Sequence, residues 1–263
     1  MNLLVPETET WLHRVNPAYK LFVFVLLLLV TLLNRQFDFA LNQLMAYTLL
    51  LFLFSGHSRK KVLLITLPFL FLFISSASTM ILFGKGEHIW WTWGLIRISE
   101  ESFYRGLMLG CKTLSFGMLG LAFALTTKPI QLFYALMQQF RLPAKYAYSF
   151  IASIRMLPAV WDDIRTRSDA LTVRGVRYAK GIKGMYERLR NYALPLLAQS
   201  IRRAQRVAVA MEAKRFQMGK ARTYYYATRY TRSDIGFTLA MLGLVVAAYY
   251  MAVRLPLVGW GPG

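Results

Sequence analysis

The stretch Val62–Phe83, VLLITLPFLFLFISSASTMILF, contains no charged residue, and its reading decides the fold class. A helix crossing the hydrocarbon layer of a membrane needs about 20 predominantly apolar residues, within a range of about 17–25. Pro68 and the Ser75-Ser76-Ala77-Ser78-Thr79 patch interrupt the run without adding charge, and spanning helices tolerate both. Working outward, Phe39–Ser58 holds no acid, lysine or arginine, and Ile235–Val253 is equally clean. Leu21–Leu33 is shorter. It must borrow Ala18 and Tyr19, with Lys20 snorkelling toward water. Ser102–Thr127 is a fifth span with Lys112 inside it. An intramembrane lysine marks a functional site by default; the alternative is that it snorkels or faces a polar seam.

Composition agrees with this reading. The chain has 263 residues, is 56% hydrophobic with a mean hydropathy of +0.39, and carries 32 Lys+Arg against 12 Asp+Glu. A soluble domain is closer to about 45–50% apolar, and the many aromatics exclude a chain unable to collapse. High hydropathy and a net charge of +20 coexist when they occupy different stretches. Between Arg141 and Arg232 stand 20 Lys/Arg and five acids, Asp162, Asp163, Asp169, Glu187 and Glu212. Basic segments favour the cytoplasmic side. The short His57-Ser58-Arg59-Lys60-Lys61 loop fixes the count. With it inside, the N-terminus and the basic region are cytoplasmic, and the Gly84–Glu101 loop with Trp90, Trp91 and Trp93 lies outside. The uncharged tail Pro256–Gly263 is consistent with translocation.

Two periodic patterns stand out. In the fifth span, Gly106, Gly110, Thr113, Gly117, Gly120 and Ala124 recur at spacing 4-3-4-3-4, which places six small residues on one helix face. Such faces let helices approach closely in lipid, so this one is expected to pack on another helix of the chain or on a separate protein. In the basic region, Phe150, Ile154, Leu157, Trp161, Ile164, Ser168 and Leu171 form one apolar stripe, and Leu197, Ile201, Ala204, Ala208 and Met211 a second. Both read as amphipathic helices, the first kinked at Pro158, with Gly181 and Gly184 marking the connection.

Catalytic signatures are missing. No phosphate-binding G-x-x-x-x-G-K-[ST], H-E-x-x-H or G-x-S-x-G occurs. The lone Cys111 makes neither a disulfide nor a cysteine metal site, and His13, His57 and His88 lack ligand spacing. Neither a catalytic residue, a metal nor a cofactor is expected, and the Tyr224-Tyr225-Tyr226 run does not make a nucleic-acid module.

The opening Leu12-His13-Arg14-Val15-Asn16-Pro17-Ala18-Tyr19-Lys20-Leu21, then Thr126-Thr127-Lys128-Pro129, Leu142-Pro143 and Arg155-Met156-Leu157-Pro158, resemble the transmembrane T component of energy-coupling-factor transporters, a branch of the ABC importers. The resemblance implies an all-α integral membrane protein of about five transmembrane helices. A cytoplasmic pair of long coupling helices lies between spans four and five. On this reading residues 1–127 form a four-span membrane domain, 128–233 the coupling domain, and 234–263 the last span and tail.

The family's mark is an Ala-Arg-Gly motif ending each coupling helix, whose arginines dock on two cytosolic ATPase subunits. Here the first reads Val173-Arg174-Gly175 and the second Ala213-Lys214-Arg215. Lys214 keeps the charge without the planar fork, and Arg215 offers that fork one position later, so Arg215 is expected to matter more. The implied partners are those two ATPases, a small membrane-embedded substrate-binding protein and the bilayer. The implied function is non-catalytic coupling of ATP hydrolysis to uptake of a vitamin or metal ion across a bacterial or archaeal plasma membrane. A membrane insertase or lipid-facing assembly factor with a basic cytoplasmic hairpin is the alternative, and would require a polar groove built around Lys112.

The topology is testable by cysteine labelling in a Cys111→Ala background. Cysteines replacing Lys60 or Arg188 are expected to react only with a reagent on the cytoplasmic side, and one replacing Glu87 only from outside. Outside labelling at position 188 would overturn the assignment of the basic region.

Overall fold

The computed structural model describes residues 7–84, 86, 88–93, 96–176, 180–216, 224, 226–228 and 230–254. Glu87, Tyr225, the tail Pro256–Gly263 and the Trp93 side chain lie outside the described residues. The chain forms two compact units, Met1–Ala135 with Thr228–Gly263, and Leu136–Ala227.

The first unit is the membrane body. A single-turn helix α1 (Trp11–Arg14) precedes α2 (Pro17–Leu33), α3 (Phe37–Phe54), α4 (Arg59–Phe83) and α5 (Glu100–Thr126), and α9 (Arg232–Arg254) closes it. Four of these, α3, α4, α5 and α9, are long and apolar enough to cross a membrane, while α2 has 17 residues, about 25 Å at the usual helical rise. The sequence places their ends. Asn16 caps α2 by accepting the Ala18 N–H at 3.1 Å, with Pro17 in the first turn. Ser99 and Ser102 exchange backbone-to-side-chain bonds at 3.0 and 3.2 Å to start α5, and Glu100 and Glu101 follow at its positive end. The connection between α4 and α5 holds a hairpin that apolar runs do not announce: β1 (Ile89–Trp93) pairs antiparallel with β2 (Ile96–Ser99). Trp90 and Trp91 are exposed on it.

The core gathers Leu12, Phe24, Leu27, Tyr47, Leu51, Leu119, Ala122 and Phe237, so one apolar cluster joins α1, α2, α3, α5 and α9. On another side, α5 packs along α4. A Cβ at Gly106 would stand 2.5 Å from Ile81, one at Gly110 2.9 Å from the Phe73 ring, and one at Gly117 would run into Phe69. The Ser76 and Thr113 hydroxyls lie 3.4 Å apart on the same seam. The partners recur every four residues along α4, matching the small positions of α5. The rest of the small face differs. A Cβ at Gly120 would meet nothing within 4 Å, and Gly120, like Ala124, is exposed.

Lys20 corrects the snorkelling expectation. It is 1% exposed, and its Nζ donates to the Thr126 carbonyl at 3.0 Å and to the Thr126 and Thr127 hydroxyls at 3.1 and 3.2 Å. The last carbonyls of α5 have no helical partners, and an ammonium there satisfies them and meets the negative end of the helix dipole. Lys112 does the same for α2, donating to the carbonyls of Leu32 (3.1 Å) and Asn34. Its head is thus taken up by a helix end.

Because overpacking a close crossing costs about 1–3 kcal/mol or more, Gly110→Leu and Gly117→Leu are expected to lower the melting temperature of the purified chain by several degrees or abolish its folding. Gly120→Leu is expected to leave it unchanged. Equal stability of all three in a detergent thermal-shift assay would mean that α5 does not pack on α4 as described.

Candidate functional site

The second unit carries most of the basic charge. Its long helices are α7 (Ala144–Val173) and α8 (Ile182–Ala213), preceded in the chain by α6 (Pro129–Gln139). α7 runs on through Pro158 and α8 through Pro195. The two are antiparallel. Asp163 of α7 accepts from Gln199 and Arg203 of α8, both at 2.9 Å, and Arg167 donates to the Asn191 carbonyl at 2.7 Å. The Asp163–Arg203 pair is about one-fifth exposed. Toward the start of α7 and the end of α8 the helices leave a groove of about 500 Å³, walled by small side chains such as Ala152, Ser153, Ala204 and Ala208 and closed by Met211 and Phe216. The Phe216 ring packs edge-on against Tyr148 at 5.6 Å.

This is not the packing that the stripes suggest. Phe150, Leu157, Trp161, Leu197 and Ile201 are each at least half exposed. The helices meet through a polar line instead, because Asp163, Arg167, Gln199 and Arg203 lie off the apolar arcs. Those five side chains face outward, with Arg165 over the Trp161 ring at 5.4 Å, while Ala204, Ala208 and Met211 of the second stripe line the groove.

The two motif sites sit at the C-termini of these helices and are built alike. Arg174 is the cap residue of α7. Gly175 follows at φ 68°, its N–H on the Thr172 carbonyl (3.0 Å), and the Val176 N–H reaches the Leu171 carbonyl (3.1 Å). Lys214 is the cap residue of α8. Arg215 follows at φ 52°, its N–H on Glu212 (2.8 Å), and the Phe216 N–H reaches Met211 (2.9 Å). Both are Schellman caps, in which a left-handed residue lets two N–H groups turn back onto the last free carbonyls. Position for position, Val173-Arg174-Gly175 therefore matches Ala213-Lys214-Arg215. Lys214 stands where Arg174 stands, and Arg215 occupies the left-handed position that suits glycine. All six residues are exposed. By backbone position it is Lys214, and not Arg215, that is equivalent to Arg174. An apolar residue just beyond each motif, Val176 and Phe216, is the sequence signal that would have placed both caps.

Among the described residues no group of three or more His, Cys, Asp or Glu could hold a metal. Outside the spans, the Lys128 hydrogen bond and charge hold the Glu9 carboxyl below its ordinary range. Burial, with Lys20 nearby, holds the His13 imidazole down.

Comparison with known proteins meets this geometry. The family model named CbiQ, described as a cobalt transport protein, matches residues 8–225. Similar proteins include the "Energy-coupling factor transporter transmembrane protein EcfT" of Listeria innocua, 28% identical over 251 residues, covering 90% of this chain and 91% of the relative. The protein of that name from Lacticaseibacillus paracasei is 25% identical over 251 residues (90% and 94%). That of Limosilactobacillus fermentum is 26% identical over 195 residues (70% and 72%). The matched span runs from the N-terminal segment through both capped helices, and on that extent the chain belongs to the CbiQ family of membrane transport proteins, the T-component family that its motifs resemble.

Proposed function

We propose that the chain is the non-catalytic coupling subunit of an ATP-driven importer of the energy-coupling-factor type. The observation that carries this reading is the repeated cap: two long helices end in the same turn, and each presents one cation at the same position of it. Two cytosolic ATPase subunits dock there, one on Val173-Arg174-Gly175 and the other on Ala213-Lys214-Arg215, with Arg174 and Lys214 entering acidic grooves. Closure of the ATPase pair displaces the two ends. The α7–α8 pair, locked by Asp163 with Arg203 and Gln199, carries that displacement as a unit, because packed elements have discrete arrangements and transmit strain. A small membrane-embedded substrate-binding protein packs on the open Gly120–Ala124 part of α5 and tilts to release its substrate. The cargo is a water-soluble vitamin or a transition-metal ion; the family description favours the metal. The positive-inside tendency puts the N-terminus and the coupling unit in the cytoplasm.

Losing one partner of a desolvated charge pair costs about 2–5 kcal/mol, which at about 1.4 kcal/mol per decade is more than a tenfold loss at that site. Two docking points on one body raise each other's effective concentration. Arg174→Ala and Lys214→Ala are therefore each expected to impair transport and leave partial assembly, while the double variant loses the ATPases in a pull-down. Arg215→Gly is expected to keep them and to stabilise the chain by about 1 kcal/mol, since it removes a side chain from a left-handed position. Copurification and uptake assays on the four variants decide the matter. A double variant that holds both ATPases and transports normally would overturn the docking assignment, and a larger defect in Arg215→Gly than in Lys214→Ala would move the second site to Arg215.

A further inference from the structure

The basic unit is inserted into the chain between α5 and α9, so it has two leads: an exit at Thr126–Pro129 and a return at Thr231–Asp234. Both are gripped by one short stretch, residues 7–20. On the exit lead, the Lys20 ammonium is buried on three oxygens of Thr126 and Thr127, and Glu9 pairs with Lys128 at 3.1 Å. On the return lead, the Asn16 N–H donates to Asp234 Oδ1 at 2.8 Å, and the other oxygen of that carboxylate accepts the Thr231 N–H at 2.8 Å. The Tyr19 and Thr238 hydroxyls are 2.5 Å apart, Tyr19 stacks edge-on with Tyr230 at 6.1 Å, and Trp11 lies 6.1 Å from Phe237.

The gripping stretch is itself tied to the turn between α3 and α4. Thr10 Oγ1 donates to the Phe54 carbonyl at 2.7 Å, and the Glu7 and Thr8 N–H groups donate to the Gly56 carbonyl at 2.9 and 3.2 Å. Gly56 is at φ 70°, and a Cβ there would run into the Thr8 carbonyl, so the chain can approach this closely only at glycine.

Lys20 and Asp234 are 1% and 2% exposed, and neither forms an ion pair among the described residues. Among those residues each head group is held by dipoles. Letting go would strand an unpaired charge in a low-dielectric site, so these are the stiffest attachments of the two leads. The exposed Glu7–Lys61 and Glu9–Lys128 pairs are weak by comparison. A lever that is driven at its far ends works only if its near ends are fixed, since slipping leads would absorb the displacement before it reached the spans.

We infer that Lys20 and Asp234 are positioning residues that make residues 7–20 the fulcrum on which both leads of the inserted unit bear. The inference rests on the coupling reading above, and its test separates the two. In proteoliposomes holding the full complex with its ATPases and substrate-binding protein, Lys20→Met and Asp234→Asn are expected to retain the ATPases in a pull-down yet raise ATP hydrolysed per substrate imported by about two- to thirtyfold. Glu9→Gln is expected to leave the ratio unchanged. Where Lys20→Met fails to fold, Thr127→Val removes one acceptor at constant shape, and Thr127→Ser restores it and the wild-type ratio. The second readout needs no partner. Spin labels on Lys60→Cys and Arg188→Cys in the chain alone, with Cys111→Ala, are expected to show a broader distance distribution in Lys20→Met and Asp234→Asn than in the wild type. A wild-type ratio together with an unchanged distribution overturns the fulcrum, as does loss of the ATPases from a folded variant. A broadened distribution in a chain that binds no ATPase would support the fulcrum and sink the coupling reading alone.

Discussion

A membrane interior has no water to satisfy a backbone carbonyl, so every helix end that stops near it needs a donor from elsewhere. In this chain α2 and α5 supply one another. Lys20, near the start of α2, caps the last carbonyl of α5, and Lys112, within α5, caps the last carbonyls of α2. These two lysines fix the lengthwise register of one helix on the other. The small positions of α5 come opposite Phe69, Phe73, Ala77 and Ile81 of α4, and the Thr126-Thr127 end is set where the basic unit departs.

Much of the membrane body was legible in the sequence because hydrophobic runs and small-residue spacing are local properties. The spans appear within a few residues of where charge-free runs place them. The first half of the Gly106-to-Ala124 face turns inward against α4 and the second half stays open, a split that spacing alone does not encode. The role of Lys20 was not legible at all. A lysine at the edge of an apolar run reads as snorkelling unless one knows that another helix ends beside it, and its partner is more than a hundred positions away. The hairpin at Ile89–Ser99 was missed for a different reason. A run of β-branched and aromatic residues flanking Gly94 is a strand signal, but the same tryptophans suit a membrane interface, and that reading carries no strand.

In the basic unit the helices themselves were legible and their faces were not. Periodicity finds an apolar stripe, but it does not say what the stripe touches. Here Asp163, Arg167, Gln199 and Arg203 make the contact between the helices, while Phe150, Leu157 and Ile201 stay outside. The two motif ends show the complementary case. Their side-chain chemistries differ, yet the backbone turns are equivalent, as the positive φ at Gly175 and Arg215 and the matching pairs of cap hydrogen bonds reveal.

The brevity of α2 has a consequence for the lipids around it. Its 17 residues span about 25 Å, some 5 Å less than the hydrocarbon thickness of an average bilayer. Hydrophobic mismatch of that kind draws headgroups and water inward beside the short element, at a cost of a fraction of a kcal/mol per Å. On that account acyl-chain length is a variable to which this side of the molecule responds.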